Sequence, residues 1–387
     1  MEFSKRLQQL PEQFFSSLAA QTAMALAEGR DVINLGQGNP DQPTPAHIVK
    51  AMQEAVADPK NHKYSPFRGI KEMRQAAADF YKREYDVDID PDLEVALLAG
   101  TKIGLVELPL AFLDPGESLL LPDPGYPDYM SGAPLAGIDM DLMTLKPENG
   151  YLPDYSELDQ QVLDRASMMY LNYPNNPTGA VATKEFFDDT IQFAKANDIA
   201  VVHDFAYGAV GYEGVKPPSF LQSEGAKDIG IEMYTLSKTY NMAGWRIGFA
   251  VGNSKMIEAL NLIQDHLFAG LSPALQHAAA EALTADQSCV TELVETYEKR
   301  RQVLIEECAR IGWEIEAPKG SFFAWLPVPK GWTSIEFVNH LLKHADISVA
   351  AGSGFGKSGE GFVRVGLLVD EERLAEAIRR IEKLNLF

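Results

Sequence analysis

The chain has 387 residues, 46% of them hydrophobic, and carries 34 basic against 55 acidic side chains, a net charge of −21. That length can bury a large core and predicts two lobes. The acidic balance, with no basic block, excludes nucleic acid and an anionic membrane surface as partners. Cys289 and Cys308 are too few for a disulfide framework and form no Cys-x-x-Cys motif, so a reducing cytoplasm is the expected compartment. The first residues from Met1 lack a signal-peptide pattern, and no apolar stretch approaches the length of a membrane span.

A helix is predicted over roughly Pro11–Gly29, then a short strand, Val32–Leu35, and an irregular Gly/Pro loop to Asp41. Thr44 reads as the N-cap of a helix over Pro45–Val56, with proline in its first turn. From Val95–Ala99 onward strands and helices alternate. Lys102–Phe112 is an apolar helix after Gly100-Thr101, and Ser118–Leu121, Met168–Tyr173, Ile199–His203 and Ile231–Leu236 are short apolar strands. Glu185–Lys195 has helical spacing between two of them. This alternation predicts an α/β fold with a mainly parallel sheet covered on both faces, and ligands collect at the carboxyl ends of such strands. Beyond Ser272 one long helical stretch is predicted to about Ile311. The strands Phe322–Leu326, Ile347–Ala350 and Phe362–Leu367 and a helix over Glu371–Leu384 then form a small α+β lobe.

The strand ends carry the chemistry. The loop after Ile231–Tyr234 presents Thr235, Ser237, Lys238 and Arg246. Two hydroxyls and an Arg suit a phosphate dianion, and a Lys among them can form a Schiff base with an electrophilic carbonyl, its role in pyridoxal 5'-phosphate enzymes. Asp204 follows Ile199–His203 and can face a pyridine nitrogen. Asn176 and Tyr207 can donate to a phenolic oxygen, and Tyr126 can stack on a ring. The backbone of Gly100, Thr101 and Lys102 opens a helix and offers N–H groups to the phosphate. Taken singly, each of these segments reads as a turn, a cap or core packing.

Together the motifs resemble a class I/II aminotransferase of PLP fold type I over essentially the whole chain. They are Gly36-Gln-Gly-Asn-Pro-Asp41, Tyr64-Ser-Pro-Phe-Arg-Gly69, Asn172-Tyr-Pro-Asn-Asn-Pro-Thr-Gly179, Asp204-Phe-Ala-Tyr207, Ser237-Lys238 with Arg246, and Phe362-Val-Arg364. The resemblance implies a seven-stranded large domain over 45–272, and a small domain from 1–44 together with 273–387. It implies that Lys238 carries the cofactor and that Arg364 grips the substrate α-carboxylate. Gly38 would offer backbone contact to substrate, and Tyr64 would reach the neighbouring subunit's phosphate in a homodimer. The nearest look is to LL-diaminopimelate aminotransferases and the Bacillus-type methionine-salvage transaminases, which implies a methionine-like or other apolar substrate with glutamine or a similar donor. One departure is Ala351-Gly352, where relatives often have Pro-Gly, which bears on that loop's rigidity.

Rival readings share parts of this set. A carbon–sulfur β-lyase would use nearly every residue above. A PLP-binding transcription regulator needs a DNA-binding domain for which the acidic chain has no room before Gly36. Ala351-Gly-Ser-Gly-Phe-Gly-Lys-Ser358 looks like a degenerate nucleotide-triphosphatase P-loop, but a strand-like run follows it where a P-loop needs a helix. The seven histidines have no ligand spacing, so no metal is expected. A dicarboxylate substrate would want a second Arg, and the segment Asp265–Ser272 has none; its Phe268 and Leu271 are the expected apolar side-chain contacts.

Overall fold

Runs of Val, Ile, Leu and Met closed by polar or glycine turns become strands, because branched and apolar side chains fit a sheet covered on both faces. The computed structural model describes residues 2–11 and 13–387; Met1 and Glu12, which fall in the N-terminal run and the first expected helix, lie outside them. In chain order the strands are β1 (Ile33–Asn34), β2 (Val95–Leu98), β3 (Ser118–Asp123), β4 (Asp139–Thr144), β5 (Ala166–Leu171) and β6 (Ala200–Asp204). They continue with β7 (Gly230–Thr235), β8 (Gly248–Gly252), β9 (Phe323–Pro327), β10 (Ile347–Ser348), β11 (Ala350–Ala351) and β12 (Phe362–Gly366).

Seven of them form one sheet in the order β2-β8-β7-β6-β5-β3-β4. The neighbours from β4 through β7 are parallel, and only β8 runs against the rest. This is the α/β sheet that the alternation of strands and helices predicts. A smaller antiparallel sheet, β11-β12-β9, is built from the last third of the chain. The N-terminal segment joins that region, because β1 pairs parallel with β10, Ile33 opposite Ile347. Arg300 fastens the turn that follows β1. It forks onto Asp41 at 2.9 and 2.8 Å and donates to the Leu367 carbonyl at 2.9 Å. Such a buried bidentate pair fixes geometry as well as charge. Among the described residues no helix is long and apolar enough to cross a membrane.

Three expectations need correction. Thr44 is not an N-cap: its hydroxyl donates to the Asn241 carbonyl at 2.8 Å, and the helix runs Ala46–Ala57 from Pro45. The long helix after Ser272 is two, Pro273–Thr284 and Ser288–Arg310. Ala285 is extended, the Gln287 amide donates to the carbonyls of Ala282 and Ala285, and Asp286 accepts from the Ser288 N–H. Side chains thus take over backbone groups that a continuous helix would pair. The run Ile347–Ala350 divides between two sheets, β10 meeting β1 and β11 meeting β12. The loop resembling a P-loop is followed by a strand as expected: it forms two 3₁₀ turns, Gly352–Phe355 and Lys357–Gly359, before β12, so no helix N-terminus faces a phosphate there. That loop is held by its neighbours despite Ala351: Phe355 O accepts from Gly125 N at 2.8 Å, and the Ser358 hydroxyl donates to Asp123 at 3.0 Å.

Candidate active site

Parallel strands place their carboxyl ends along one edge of the sheet. There β6 ends at Asp204, β5 runs on into Asn172–Asn176, β7 turns into the Lys238 loop, and β2 leads to the helix Thr101–Phe112. These ends surround a cavity of about 420 Å³. Of the residues singled out in the sequence, Gly38, Thr101, Lys102, Tyr126, Asn176, Asp204, Tyr207, Thr235, Ser237, Lys238, Arg246 and Arg364 all line it.

One end of the cavity is a cup of donors. Thr235 and Ser237 lie side by side, Oγ to Oγ 2.9 Å, and Ser237 N–H donates to Thr235 Oγ1. Arg246 approaches Gly100 so closely that a Cβ there would lie 2.4 Å from Nη2; with φ at +82°, this position demands glycine. Gly100 caps the helix whose first N–H groups face the same space. The Lys102 ammonium is taken by Asp128 at 2.7 Å, which also accepts from Tyr126 at 2.6 Å, so only the Lys102 backbone serves the cup.

In the middle stand Asp204 and Lys238. Asp204 Oδ2 accepts from the Tyr129 hydroxyl at 2.8 Å, whereas Oδ1 is buried without a partner among the described residues. Burial raises the Asp204 carboxyl to about 6, against the lowering effect of the Tyr129 hydrogen bond. The Lys238 ammonium donates to Gly38 O at 2.8 Å. Burial brings it down to about 8, helped by repulsion from Arg364 and Arg246 and opposed by Asp204. Both groups are held away from their ordinary ionisation, as expected where chemistry is done.

The far end is Arg364, 1% exposed. Its guanidinium donates to Asn176 Oδ1 and to Gly36 O, each at 2.9 Å, and Nε has no partner among the described residues. Aromatic rings replace the missing acid: its Cζ lies 3.9 Å from the Phe323 centroid, 4.8 Å from Phe355 and 5.1 Å from Phe15. Burial lowers it to about 10. A buried cation without a carboxylate is a standing invitation to an anion.

Several cavity residues had no assigned role in the sequence reading. Tyr129 lies three positions past Tyr126, in a loop already marked as a strand end. Phe15, Leu18, Ala19 and Thr22 also line the cavity. Their spacing i, i+3, i+4, i+7 is one face of the helix Phe14–Ala27, a signal present in the sequence. Phe268 and Leu271 are a correction. They line a separate small recess with Phe67, Gly69, Leu97 and Gln276, not the cavity of their own chain. Tyr64 is 87% exposed and also lies outside that cavity.

The family model described as aminotransferase class I and II matches residues 30–381, and the chain belongs to this family. It is 64% identical to the L-glutamine–4-(methylsulfanyl)-2-oxobutanoate aminotransferase of Bacillus subtilis, an alignment covering 100% of this chain and 97% of that one. It is 43% identical to the LL-diaminopimelate aminotransferase of Halothermothrix orenii, covering 100% and 99%. The substrate-bound structure of BacF from Bacillus subtilis superposes with a TM-score of 0.97 at 46% identity, covering 100% of this chain and 98% of that one. The chain is thus an aminotransferase, and its cofactor is pyridoxal 5'-phosphate. The cavity fits that group. The orphaned Asp204 Oδ1 is an acceptor for a protonated ring nitrogen, and the donor cup suits a phosphate dianion.

Proposed function

We propose that this aminotransferase moves the amino group of glutamine, or a similar donor, onto a methionine-like 2-oxo acid. The observation carrying this reading is the wall beside Arg364. Phe15, Leu18 and Ala19 are apolar, and the cations on the cavity, Lys102, Lys238, Arg246 and Arg364, all have other work. The 64% identity to the glutamine-dependent enzyme of Bacillus subtilis supports it over the full chain.

When bound, pyridoxal phosphate supplies the aldehyde and the electron sink of the reaction. The residues do the rest. Thr235, Ser237, Arg246 and the backbone at Gly100–Lys102 would hold the phosphate, Asp204 would keep the ring nitrogen protonated, Asn176 and Tyr207 would donate to the phenolic oxygen, and Tyr126 would pack against the ring. Arg364 takes the substrate α-carboxylate in a fork and so orients the bond to be broken. The Lys238 amine, depressed to about 8, is uncharged often enough near neutrality to take the proton from substrate Cα and deliver it to the carbon that the cofactor's aldehyde would supply.

We further propose a cytoplasmic homodimer of two-domain subunits, 45–272 and 1–44 with 273–387, in which Tyr64 enters the other subunit's site. The pairing of β1 with β10 supports that division, and the exposed Tyr64, Phe67, Leu262 and Leu267 support an apolar interface. The deciding experiment is a matrix of amino donors against 2-oxo acids. Glutamine with 4-(methylsulfanyl)-2-oxobutanoate should be among the fastest pairs. Aspartate as best donor would require a side-chain cation absent from this wall, and pyruvate release from a sulfur amino acid outpacing amino transfer would make the enzyme a β-lyase.

A further inference from the structure

His203 and Asp204 are neighbours on β6, so their side chains leave opposite faces of the sheet. Asp204 faces the cavity. His203 is buried with 0% exposure among Phe187 and Phe205, ring centroids 5.0 and 5.1 Å away. Opposite it in register on β7 is Glu232, also 0% exposed. Glu232 receives four donors: the Tyr81 hydroxyl at 2.8 Å, the Ser219 hydroxyl at 2.6 Å, the Phe220 N–H at 2.8 Å and His203 Nδ1 at 2.7 Å. Four donors fill a carboxylate's acceptor sites, so no carboxyl proton fits there and His203 carries its hydrogen on Nδ1. The other ring nitrogen, Nε2, lies 3.2 Å from Tyr173 N and 3.0 Å from Tyr173 O.

Tyr173 stands inside the loop that serves the cavity. Its neighbour Asn172 donates to Asp204 O at 2.7 Å and accepts from Asn176 N at 2.8 Å, and Asn176 accepts from Arg364 at 2.9 Å. A path of hydrogen bonds, joined by the peptide link between Asn172 and Tyr173, therefore runs from Glu232 through His203 to the middle of the cavity at Asp204 and to its far end at Arg364. An acid–imidazole pair in an aromatic layer is a poor route to stability, since packed apolar residues of similar volume do as well or better. Its value lies in direction.

We propose that the Glu232–His203 pair is a positioning device for the amino-transfer reaction. It fixes Tyr173, and through Asn172 and Asn176 it sets the Asp204 main chain and the Arg364 guanidinium. The carboxylate on Nδ1 fixes the ring so that Nε2 meets the Tyr173 backbone, as an acceptor for its N–H at 3.2 Å or, when protonated, a donor to its carbonyl at 3.0 Å, in the way that carboxylates orient imidazoles elsewhere. The inference rests on the roles given above to Asn176, Asp204 and Arg364.

The test uses holoenzyme variants and two readouts: the pH at which the bound cofactor's visible band titrates, without turnover, and KM for donor and acceptor. Glu232→Gln removes the charge and sets an amide against the two donors on one oxygen, either the Tyr81 and Ser219 hydroxyls or the Phe220 N–H and His203 Nδ1, which loosens the pair's hold on the Tyr173 backbone. His203→Phe removes both contacts at similar shape. Each should move the band's titration by several tenths of a pH unit and lower kcat/KM for donor and acceptor alike, by roughly 10- to 100-fold. His203→Gln, whose amide oxygen can accept from Tyr173, should recover part of that loss. Should either buried variant fail to fold, Tyr81→Phe and Ser219→Ala each remove one donor to Glu232 and should produce smaller shifts of the same sign. Variants that lose thermal stability while band titration and KM stay unchanged would overturn the proposal. Asn176→Ala separates the two levels: if it too leaves the band and KM unmoved, the site assignment fails; if it moves them and the pair's variants do not, the positioning role fails.

Discussion

The two faces of β6 carry opposite chemistry. On the His203 face the polar atoms are satisfied: Glu232 has four donors and His203 is bonded through both ring nitrogens. On the Asp204 face, among the described residues, Oδ1 has no partner, Arg364 has no acid, and the Lys238 ammonium has one backbone carbonyl. Both faces are buried and both contain charge. A saturated network holds its geometry, whereas an unsaturated one stores unmet demand for a ligand. On the second face burial, with so few partners to offset it, pushes Asp204 up to about 6 and Lys238 down to about 8.

That contrast can be broken at graded cost. Lys238→Ala should have the largest effect, eliminating both turnover and the borohydride-reducible attachment of the cofactor; attachment retained in this variant would assign it to a different lysine. Arg364→Ala comes next. It should raise KM for every amino acid, because the α-carboxylate is common to all, with a loss of about 2–5 kcal/mol for a buried charge-paired contact. A variant sparing some substrates would place the carboxylate elsewhere. Smallest is Leu18→Ala on the apolar wall. It should change the ratio between methionine-like and small substrates by ~1–3 kcal/mol while leaving alanine nearly untouched, read as kcat/KM for each. An equal loss for both would mean that Leu18 supports the helix and not the side chain of the substrate.

Much of this arrangement was legible because it is local. Asp204, Asn176 and Lys238 each follow an apolar run, and the end of a parallel strand has a known relation to the ligand edge. Contacts that depend on remote chain were harder to read. The face Phe15, Leu18, Ala19 and Thr22 has clear helical spacing, yet nothing near it in sequence says that it covers Arg364, some 340 positions away. Phe268 and Leu271 were misdirected for the same reason, since apolarity carries no direction. Strand β4 gives no such signal: in Asp-Met-Asp-Leu-Met-Thr only Met143 is buried, and an edge strand with Asp139 exposed and Asp141 paired to Arg165 has no apolar face to announce it. The break at Ala285 was hidden because its cause is the side chain of Gln287 folding back on carbonyls, not a glycine or proline.

The claim that the Asp204 face is unsatisfied until the cofactor arrives has a direct measurement: the thermal stability of Asp204→Asn and the native chain, each with and without pyridoxal phosphate, as a function of pH. The folded carboxyl lies above its unfolded value of 3.8, so its contribution is fully present below that value and is lost as pH rises through about 6. The cofactor-free variant should therefore match the native chain near pH 4 and exceed it above pH 6 by up to ~2–3 kcal/mol. With cofactor bound the order should reverse, because only the carboxylate pairs with a protonated ring nitrogen. A variant less stable than the native chain in both states at neutral pH would contradict the account and make Asp204 an ordinary structural residue.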